Sequence, residues 1–353
     1  MTSINTTLPI DEIEVNGTTI PLKPVVDTKF ARSLIEGIVT EITEEDLKGV
    51  TKLRTRAFDG CTDLSSIEFS NTIESMGGYV FYDCRKLTKV IMSDSVTTMD
   101  SNCFYGCRTL TDVILSKNLT KIPNDTFWGC EELKHIEIPS SVTSIGQYAF
   151  KNCTELTTVK LGGGVTTLVG HCFESCEKLV NINLPNTISS VGEYSFSNSG
   201  IQSIIMPTSI ISTSPQSFMN CKSLTELVLH NNFRGFAVQS FGNCVSLRSV
   251  TLPSSVTYLA AAVFSGCTSL TEMIILCETP PQLQYVSAIS ETTTKIYVPY
   301  GCKTAYETAT NWSSLLTRET NPVTFIELNE DGSKPVEDDS GYVEDEFPDI
   351  DFE

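Results

Sequence analysis

The sequence contains little positive charge and little histidine. Its 353 residues include 24 lysines and arginines against 43 aspartates and glutamates, for a formal net charge of −19, and 3 histidines. Because phosphate groups are bound by clustered lysine and arginine side chains, we expect neither nucleic acid nor an acidic lipid surface as a partner.

Long apolar runs and targeting features are also missing. No apolar stretch approaches the ~20 residues that a membrane-spanning helix requires, so membrane insertion is not expected. The start of the chain, MTSINTTLPIDEIEV, lacks the basic and apolar regions of a secretory signal peptide. We therefore expect synthesis in the cytoplasm without export by the ordinary route.

Catalytic motifs are absent as well. His135, His171 and His230 are widely separated, and the chain has no nucleophile elbow, phosphate-binding loop or zinc-protease motif. We therefore expect no enzymatic activity, no catalytic residue, no cofactor and no metal site.

The sequence does contain a repeat. A phenylalanine recurs every 23 residues, with one step of 22 between Phe196 and Phe218. The ladder is Phe58, Phe81, Phe104, Phe127, Phe150, Phe173, Phe196, Phe218, Phe241 and Phe264. A cysteine follows three residues later in every repeat except that of Phe196, where Ser199 takes its place. A fixed period of this length predicts a solenoid.

Each repeat contains an alternating apolar segment, a turn and a second apolar pair. In one repeat Leu133, Ile136 and Ile138 alternate with polar residues, which predicts a short strand with one buried face. The turn is Pro-Ser-Ser at 139–141 and Gly-Gly-Gly at 162–164. Because one repeat cannot bury its apolar face alone, neighbours must stack. These features predict a β-rich solenoid of about ten 23-residue coils, with a parallel sheet and few short helices.

The repeat resembles the BspA-like leucine-rich repeat, whose pattern is L-x-x-V-x-L-P-x-S-V-T-x-I-G-x-x-A-F-x-G-C. Residues 133–153 match this pattern nearly residue for residue, and the resemblance extends over about residues 50–276. That family occurs in bacterial surface adhesins, in parasite surface proteins, and in proteins of gut bacteria and their viruses. The resemblance implies recognition or adhesion and does not identify a ligand.

The 13 cysteines are interpreted as packing residues. Nine occupy one repeat position, and Cys103 and Cys172 occupy a second position that holds Ala or Ser elsewhere. Because free cysteine behaves as a small apolar residue, buried and reduced thiols are expected. Two spacings, Cys103-x3-Cys107 and His171-Cys172-x3-Cys176, weakly resemble metal sites. No further pair completes the four ligands that zinc usually requires.

The segments before residue 46 differ from the repeats. Residues 12–22 alternate around Asn16-Gly17, which predicts a hairpin, and a short helix is expected between Asp27 and Gly37. Residues 12–36 also resemble an N-terminal element of bacteriophage tail, baseplate and fibre proteins. The residues that carry this resemblance are Val15, Gly17, Leu22, Lys23, Ala31 and Arg32. We therefore interpret segment 1–45 as an attachment unit or, alternatively, as a simple cap for the solenoid at 46–276.

Two further segments follow the solenoid. Residues 295–312 should form a strand, a turn and a short helix, which resemble the closing unit of BspA-like arrays, so 277–326 is assigned as a cap. Residues 327–353 carry twelve acidic residues and one lysine, which predicts a disordered tail. The tail either increases solubility or docks through its aromatic residues on a basic partner.

The outward positions of the strands are the expected binding surface. Ile91 with Ile114, and Ile205 with Val228, should form exposed apolar pairs on adjacent coils, although β-branched residues also favour strands for their own sake. The candidate binding residues are Lys89, Ile91, Asp112, Ile114, His135, Glu137, Lys160, Ile205 and Val228.

Two functions follow from these patterns. The first is a non-enzymatic recognition or adhesion protein whose sheet face binds a protein or a glycan. The phage-like segment suggests that it is mounted on a virion, with the cell surface or the cytoplasm as alternative locations. The second is a structural, decoration or spacer protein of a virion or cell surface, whose terminal segments make the essential contacts.

Overall fold

The chain folds into a β-solenoid. The computed structural model describes residues 12–15, 18–21 and 40–336. Successive repeats stack in parallel, so that Ser66–Glu68 pairs with Lys89–Ile91, which lies 23 residues further along. The predicted fold class is confirmed, with about 11 turns where the sequence indicated ten.

One side of the solenoid is a row of parallel strands that we call the front sheet. These strands form because the middle residue of each alternating segment is buried while its neighbours face outward, as in His135–Glu137. The front strands are Glu41–Ile42, Ser66–Glu68, Lys89–Ile91, Asp112–Ile114, His135–Glu137, Thr158–Lys160, Asn181–Ile182, Ser203–Ile205, Glu226–Val228, Ser249–Leu252, Glu272–Ile275, Lys295–Val298 and Thr324–Glu327.

The second apolar pair of each repeat forms another row of parallel strands, which we call the side ladder. Each of these strands contributes a buried residue to the core, such as Ile145 in Ser144–Ile145. The side strands are Val50–Leu53, Ser75–Met76, Thr98–Met99, Lys121–Ile122, Ser144–Ile145, Thr167–Leu168, Ser190–Val191, Gly235–Phe236, Tyr258–Leu259 and Gln282–Leu283.

The phenylalanine ladder forms a continuous stack inside the solenoid. From Phe58 to Phe241, consecutive ring centroids lie 5.1–5.5 Å apart, and the ring planes are within 11° of parallel. All of these rings are buried. Aromatic pairs stabilise by about 0.5–1.5 kcal/mol beyond the burial of their area. The stack therefore couples each repeat to the next.

The cysteine ladder has a specific bonding role beside this stack. Eight buried thiols, from Cys84 to Cys267, each donate to the main-chain carbonyl of the phenylalanine in the preceding repeat, at S···O distances of 3.0–3.3 Å. The position therefore requires a small side chain that can also act as a weak donor. The expectation that every ladder thiol is buried is wrong for Cys61, which is half-buried. Cys61 belongs to the first repeat of the phenylalanine ladder, so no ladder phenylalanine precedes it at the 23-residue spacing.

The cysteines with metal-like spacing are packing residues. Cys103 donates to the carbonyls of Gly77 and Asp100 at 3.1 Å, and Cys176 donates to that of Phe150 at 3.2 Å. Burial raises the pKa of the Cys103 thiol to about 12. All of the cysteines are free thiols. Within residues 40–336 and the two N-terminal strands, no three His, Cys, Asp or Glu side chains are grouped so as to hold a metal.

The strand pairing is interrupted at the 22-residue repeat. Asn181–Ile182 does not pair with Ser203–Ile205 in the front sheet, and Ser190–Val191 has no following partner in the side ladder. Across the other interfaces between described repeats, at least one of the two rows remains paired. The phenylalanine stack continues across this gap, with the rings of Phe196 and Phe218 5.3 Å apart.

The N-terminal end contains the expected hairpin. Strands Glu12–Val15 and Thr18–Pro21 pair antiparallel, and the first also pairs antiparallel with the side strand Val50–Leu53. A single 3-10 turn, Glu45–Leu47, follows the first front strand, Glu41–Ile42. That strand pairs with Ser66–Glu68, so the parallel stacking begins before residue 46. The helix expected between Asp27 and Gly37 lies outside the described residues.

The C-terminal unit has the predicted order of elements. Strand Lys295–Val298 is followed by the helix Lys303–Thr308, and 3-10 turns occur at Val286–Ala288 and Ser313–Leu315. The buried side chains of Tyr306 and Trp312 fix the unit, because they donate to the carbonyls of Cys277 and Pro281 at 2.7 Å.

The structure describes the first ten residues of the segment that the sequence assigns to the tail, 327–336. Strand Thr324–Glu327 adds to the front sheet, and Leu328 is buried. The segment then crosses the outer face of the sheet, where Lys334 pairs with Glu272 and lies 4.5 Å from the ring centroid of Tyr297. The rest of the predicted tail, 337–353, lies outside the described residues.

Candidate functional site

The outward positions of the front strands form continuous rows, as the repeat predicts. Lys89 is aligned with Asp112, and Ile91 with Ile114, on adjacent strands. Glu137 is aligned with Lys160, and the two side chains form an ion pair at 2.6 Å. This register depends only on the constant repeat length, because each residue meets its equivalent in the next coil.

A groove opens where the front sheet is interrupted between two of these strands. Asp112–Ile114 and His135–Glu137 belong to separate hydrogen-bonded sheets. The space along this break is a cavity of about 1090 Å³ that is open to solvent. Seven of the nine predicted binding residues line it, namely Lys89, Ile91, Asp112, Ile114, His135, Glu137 and Lys160.

The floor of the groove is apolar. Ile114 is 58% exposed, and its neighbour Ile91 is half-buried. Val113 points toward the core but is also half-buried, whereas the equivalent Val90 and Ile136 on the flanking strands are fully buried. The break in strand pairing therefore uncovers an apolar side chain that an unbroken sheet would bury.

The rim of the groove carries charges of both signs. Lys117 pairs with Asp94 at 3.2 Å on one side, and Lys160 pairs with Glu137 on the other. Lys89 and His135 are exposed and form no ion pair with any other residue in the described ranges. An apolar floor with a charged rim is the usual anatomy of a protein interface.

Two turns at one end of the groove are site residues that the sequence did not predict. The Pro-Ser-Ser turn at 139–141 and the neighbouring glycines Gly162 and Gly163 line the cavity. A Cβ atom on Gly162 would lie 2.6 Å from main-chain atoms of Pro139, so glycine is required for the two turns to stack. Both turns occupy the same position of the repeat, directly after the front strands that carry the predicted residues.

The remaining two predicted residues form a separate patch. Ile205 and Val228 are aligned on adjacent strands and are 70% and 39% exposed. Neither lines the groove. The predicted exposure of this pair is confirmed, whereas a role in binding stays a prediction.

The three histidines do not form a joint site. His135 lies in the groove, the Nδ1 atom of His171 lies 2.8 Å from the carboxylate of Glu174, and the Nε2 atom of His230 lies 2.9 Å from the carbonyl of Ile210. No helix in the described part of the chain is long and apolar enough to cross a membrane.

The family of the chain is shown by a profile match. The profile of the BspA type leucine rich repeat region, in six copies, matches residues 38–157 and 143–271. The chain belongs to the BspA-type leucine-rich repeat family. Leucine-rich repeat proteins are in general non-enzymatic binding proteins. No curated protein sequence matches the chain.

Several solved structures are similar to this BspA-type protein at low sequence identity. A leucine-rich repeat protein from Bacteroides ovatus is 23% identical, with 80% of this chain and 88% of that chain covered and a TM-score of 0.41. A leucine rich cell surface protein from Faecalibacterium prausnitzii is 22% identical, with 72% and 74% covered and a TM-score of 0.44. The pneumococcal vaccine antigen PcpA is 18% identical, with 82% and 78% covered and a TM-score of 0.41.

Proposed function

We propose that this BspA-type protein is a non-enzymatic recognition or adhesion protein that binds its ligand in the front-sheet groove. The observation that carries the proposal is the break between Ile114 and His135, which exposes an apolar floor inside a charged rim. That composition favours a protein ligand, with a glycan as the alternative. Membership of the repeat family supports binding in preference to catalysis.

The location of the protein is part of the same proposal. The resemblance of residues 12–36 to a phage element is the argument for a virion, and the comparisons provide no further support for it. A cell surface fits an adhesion role equally well. In the spacer alternative, the N-terminal hairpin and the closing unit make the essential contacts instead of the groove.

The experiment compares two pairs of substitutions on the same sheet face. Ile91→Asp with Ile114→Asp places two charges on the floor of the groove, and Ile205→Asp with Val228→Asp does the same outside it. Binding of the labelled chain to a panel of intact bacterial and animal cells is measured by flow cytometry. We expect the groove pair to weaken binding by at least about 30-fold, the effect of losing one central contact residue. The control pair should bind as the unmodified protein does.

Treatment of the cells identifies the class of ligand. Loss of binding after protease treatment indicates a protein, whereas loss after periodate treatment indicates a glycan. If both double variants bind normally while deletion of residues 1–39 abolishes binding, the groove proposal is wrong and the spacer alternative is correct. Circular dichroism of each variant verifies that the solenoid is folded.

A further inference from the structure

A second surface lies on the loops beside the phenylalanine stack. Seven half-buried aromatic rings form a continuous row, with consecutive ring centroids 4.6–5.6 Å apart. We call this row the aromatic ribbon. In order it consists of Tyr79, Tyr82, Tyr105, Trp128, Tyr148, His171 and Tyr194. None of these residues lines the front-sheet groove.

Four rings of the ribbon are attached to residues in the left-handed conformation. Tyr79, Tyr148, His171 and Tyr194 have φ angles of 59°, 57°, 63° and 52°. Bulky side chains rarely adopt this left-handed conformation, whereas asparagine and aspartate do so more readily. The other repeats make the same turn with non-aromatic residues, at φ angles of 52–65°: Arg56, Asn102, Asp125, Gln216, Gln239 and Ala262. The left-handed turn is therefore a feature of the repeat itself, and it does not require an aromatic side chain.

The ribbon already binds cations of its own chain. The Nζ atom of Lys151 lies 5.4 Å from the ring centroid of Trp128 and 5.2 Å from that of Tyr148. The same atom lies 2.8 Å from the carboxylate of Glu174. At the N-terminal end of the ribbon, the guanidinium of Arg56 lies 4.7 Å from the ring centroid of Tyr79. Lys151 thus shows that two rings and one carboxylate of this surface can hold an ammonium group.

A similar set of groups occurs at the middle of the ribbon, where no cation from the described part of the chain lies over the rings. The rings of Tyr82 and Tyr105 are stacked, with centroids 4.9 Å apart. The half-buried carboxylate of Asp125 makes no hydrogen bond or ion pair with any residue that the structure describes, and burial raises its pKa. The pKa of Tyr105 is raised by burial first, and then by the charges of Tyr82, Asp125 and Asp83. Asp125 is therefore close enough to Tyr105 for the two groups to interact electrostatically.

We propose that the aromatic ribbon docks a lysine- or arginine-rich segment of a partner protein. One cationic side chain of that segment contacts Tyr82, Tyr105 and Asp125, in the way that Lys151 contacts its two rings and its carboxylate. The net charge of −19 favours the approach of a basic partner and disfavours an acidic one. The ribbon and the groove therefore present different chemistry on different surfaces.

The test uses a defined peptide. A fluorescein-labelled dodecapeptide of alternating arginine and glycine is titrated with the full chain at 0.15 M salt, a condition that screens contacts between exposed charges, and anisotropy is measured. The same peptide with citrulline in place of arginine keeps the shape and removes the charge. We expect the arginine peptide to bind at least about tenfold more tightly than the citrulline peptide. Equal affinity for the two peptides overturns the proposal.

Substitutions then locate the binding. Tyr82→Leu with Tyr105→Leu and Asp125→Asn should weaken the arginine peptide about tenfold, because the apolar bulk remains while the rings and the charge are lost. The matched control is Tyr285→Leu with Tyr300→Leu and Glu319→Gln, which removes two exposed tyrosines and one exposed carboxylate elsewhere. Equal weakening by both triple variants shows non-specific attraction to an acidic protein and overturns the proposal. If the ribbon variant fails to fold, Asp125→Asn alone provides the test, with about threefold weakening expected.

A final variant separates binding from structural support. Lys151→Met removes the cation that covers Trp128 and Tyr148 and leaves Glu174 without its lysine. We expect this variant to bind the arginine peptide about threefold more tightly, because a second position becomes accessible to the peptide. A purely structural ribbon gives no gain of affinity from this change. Unchanged or weaker binding of Lys151→Met contradicts the assignment.

Discussion

The 22-residue repeat should be the point at which the solenoid comes apart. Neither row of strands pairs across this interface. Main-chain hydrogen bonds on the loop side cross it, such as that from Phe196 N–H to the Ser217 carbonyl at 2.8 Å. The ring of Phe196 contacts Phe173 at 5.5 Å and Phe218 at 5.3 Å. The stability of a repeat array is approximately a sum of repeat and interface contributions. We therefore predict that Phe196→Ala uncouples the two halves of the protein, so that they unfold separately.

The size of the effect follows from burial and stacking. Phe196 is fully buried, and replacing a buried phenylalanine by alanine costs about 3–5 kcal/mol. About 1–3 kcal/mol of this cost corresponds to the two ring contacts, one on each neighbouring repeat. Phe127 is equally buried and equally stacked, but strand pairing continues on both of its sides in at least one row. Phe127→Ala is therefore the matched control, with the same loss of free energy and no loss of coupling.

The two tryptophans allow each half to be followed. Trp128 lies before the interruption and Trp312 lies in the closing unit after it, and the chain has no other tryptophan. Urea unfolding is recorded by fluorescence in a Trp312→Phe background and in a Trp128→Phe background. In Phe196→Ala the two midpoints should separate, whereas in Phe127→Ala they should move together. Coincident midpoints in Phe196→Ala, or equal separation in both variants, would refute the argument.

Two further predictions concern the thiols and the tail. Alkylation of the native protein should modify only Cys61 and Cys302, because the other cysteines are buried, and mass spectrometry before and after denaturation counts them; native disulfides would contradict this. Deletion of residues 337–353 should leave the melting temperature unchanged, since so acidic a segment buries little apolar surface. Deletion from Leu328 onward should cost about 2 kcal/mol or more, because that side chain is buried; equal melting temperatures for the two deletions would contradict it.

The repeat positions were predictable because a constant period converts sequence spacing into spatial neighbours. Ile91 and Ile114 are 23 residues apart, and they are adjacent on the front sheet for that reason alone. The inward position of Ile136 and the outward positions of His135 and Glu137 follow from the same alternation. These features need no information about the geometry of individual strands.

The interruptions of the sheet were not predictable in the same way. The repeat from Asp112 to His135 has the ordinary length, so its spacing gives no sign that the two strands fail to pair. Pairing depends on small displacements of the main chain, which the residue pattern does not encode. The sequence therefore predicted the outward residues of the groove. It did not predict the opening that brings the floor and the rim of the groove together.

The aromatic ribbon was missed for a different reason. Tyr82, Tyr105 and Trp128 follow the ladder phenylalanine by one residue, whereas Tyr148 and His171 precede it by two. Neither repeat position on its own carries a long run of aromatic residues. Only the fold shows that the ribbon changes from one repeat position to the other between Trp128 and Tyr148. A search for aromatic residues within two positions of the ladder would have found it.

Fold and recognition therefore depend on different residues of the same repeat. The phenylalanine, the cysteine and the inward strand positions must be nearly constant, because each makes the same contact with the neighbouring coil in successive repeats. The outward positions and the loop positions have no such constraint, and they differ from one coil to the next. Membership of the BspA-type family consequently determines the stack but not the ligand. The groove and the ribbon have to be understood from the places where this chain departs from its own repeat: a break in strand pairing at one, and a row of aromatic rings at loop positions at the other.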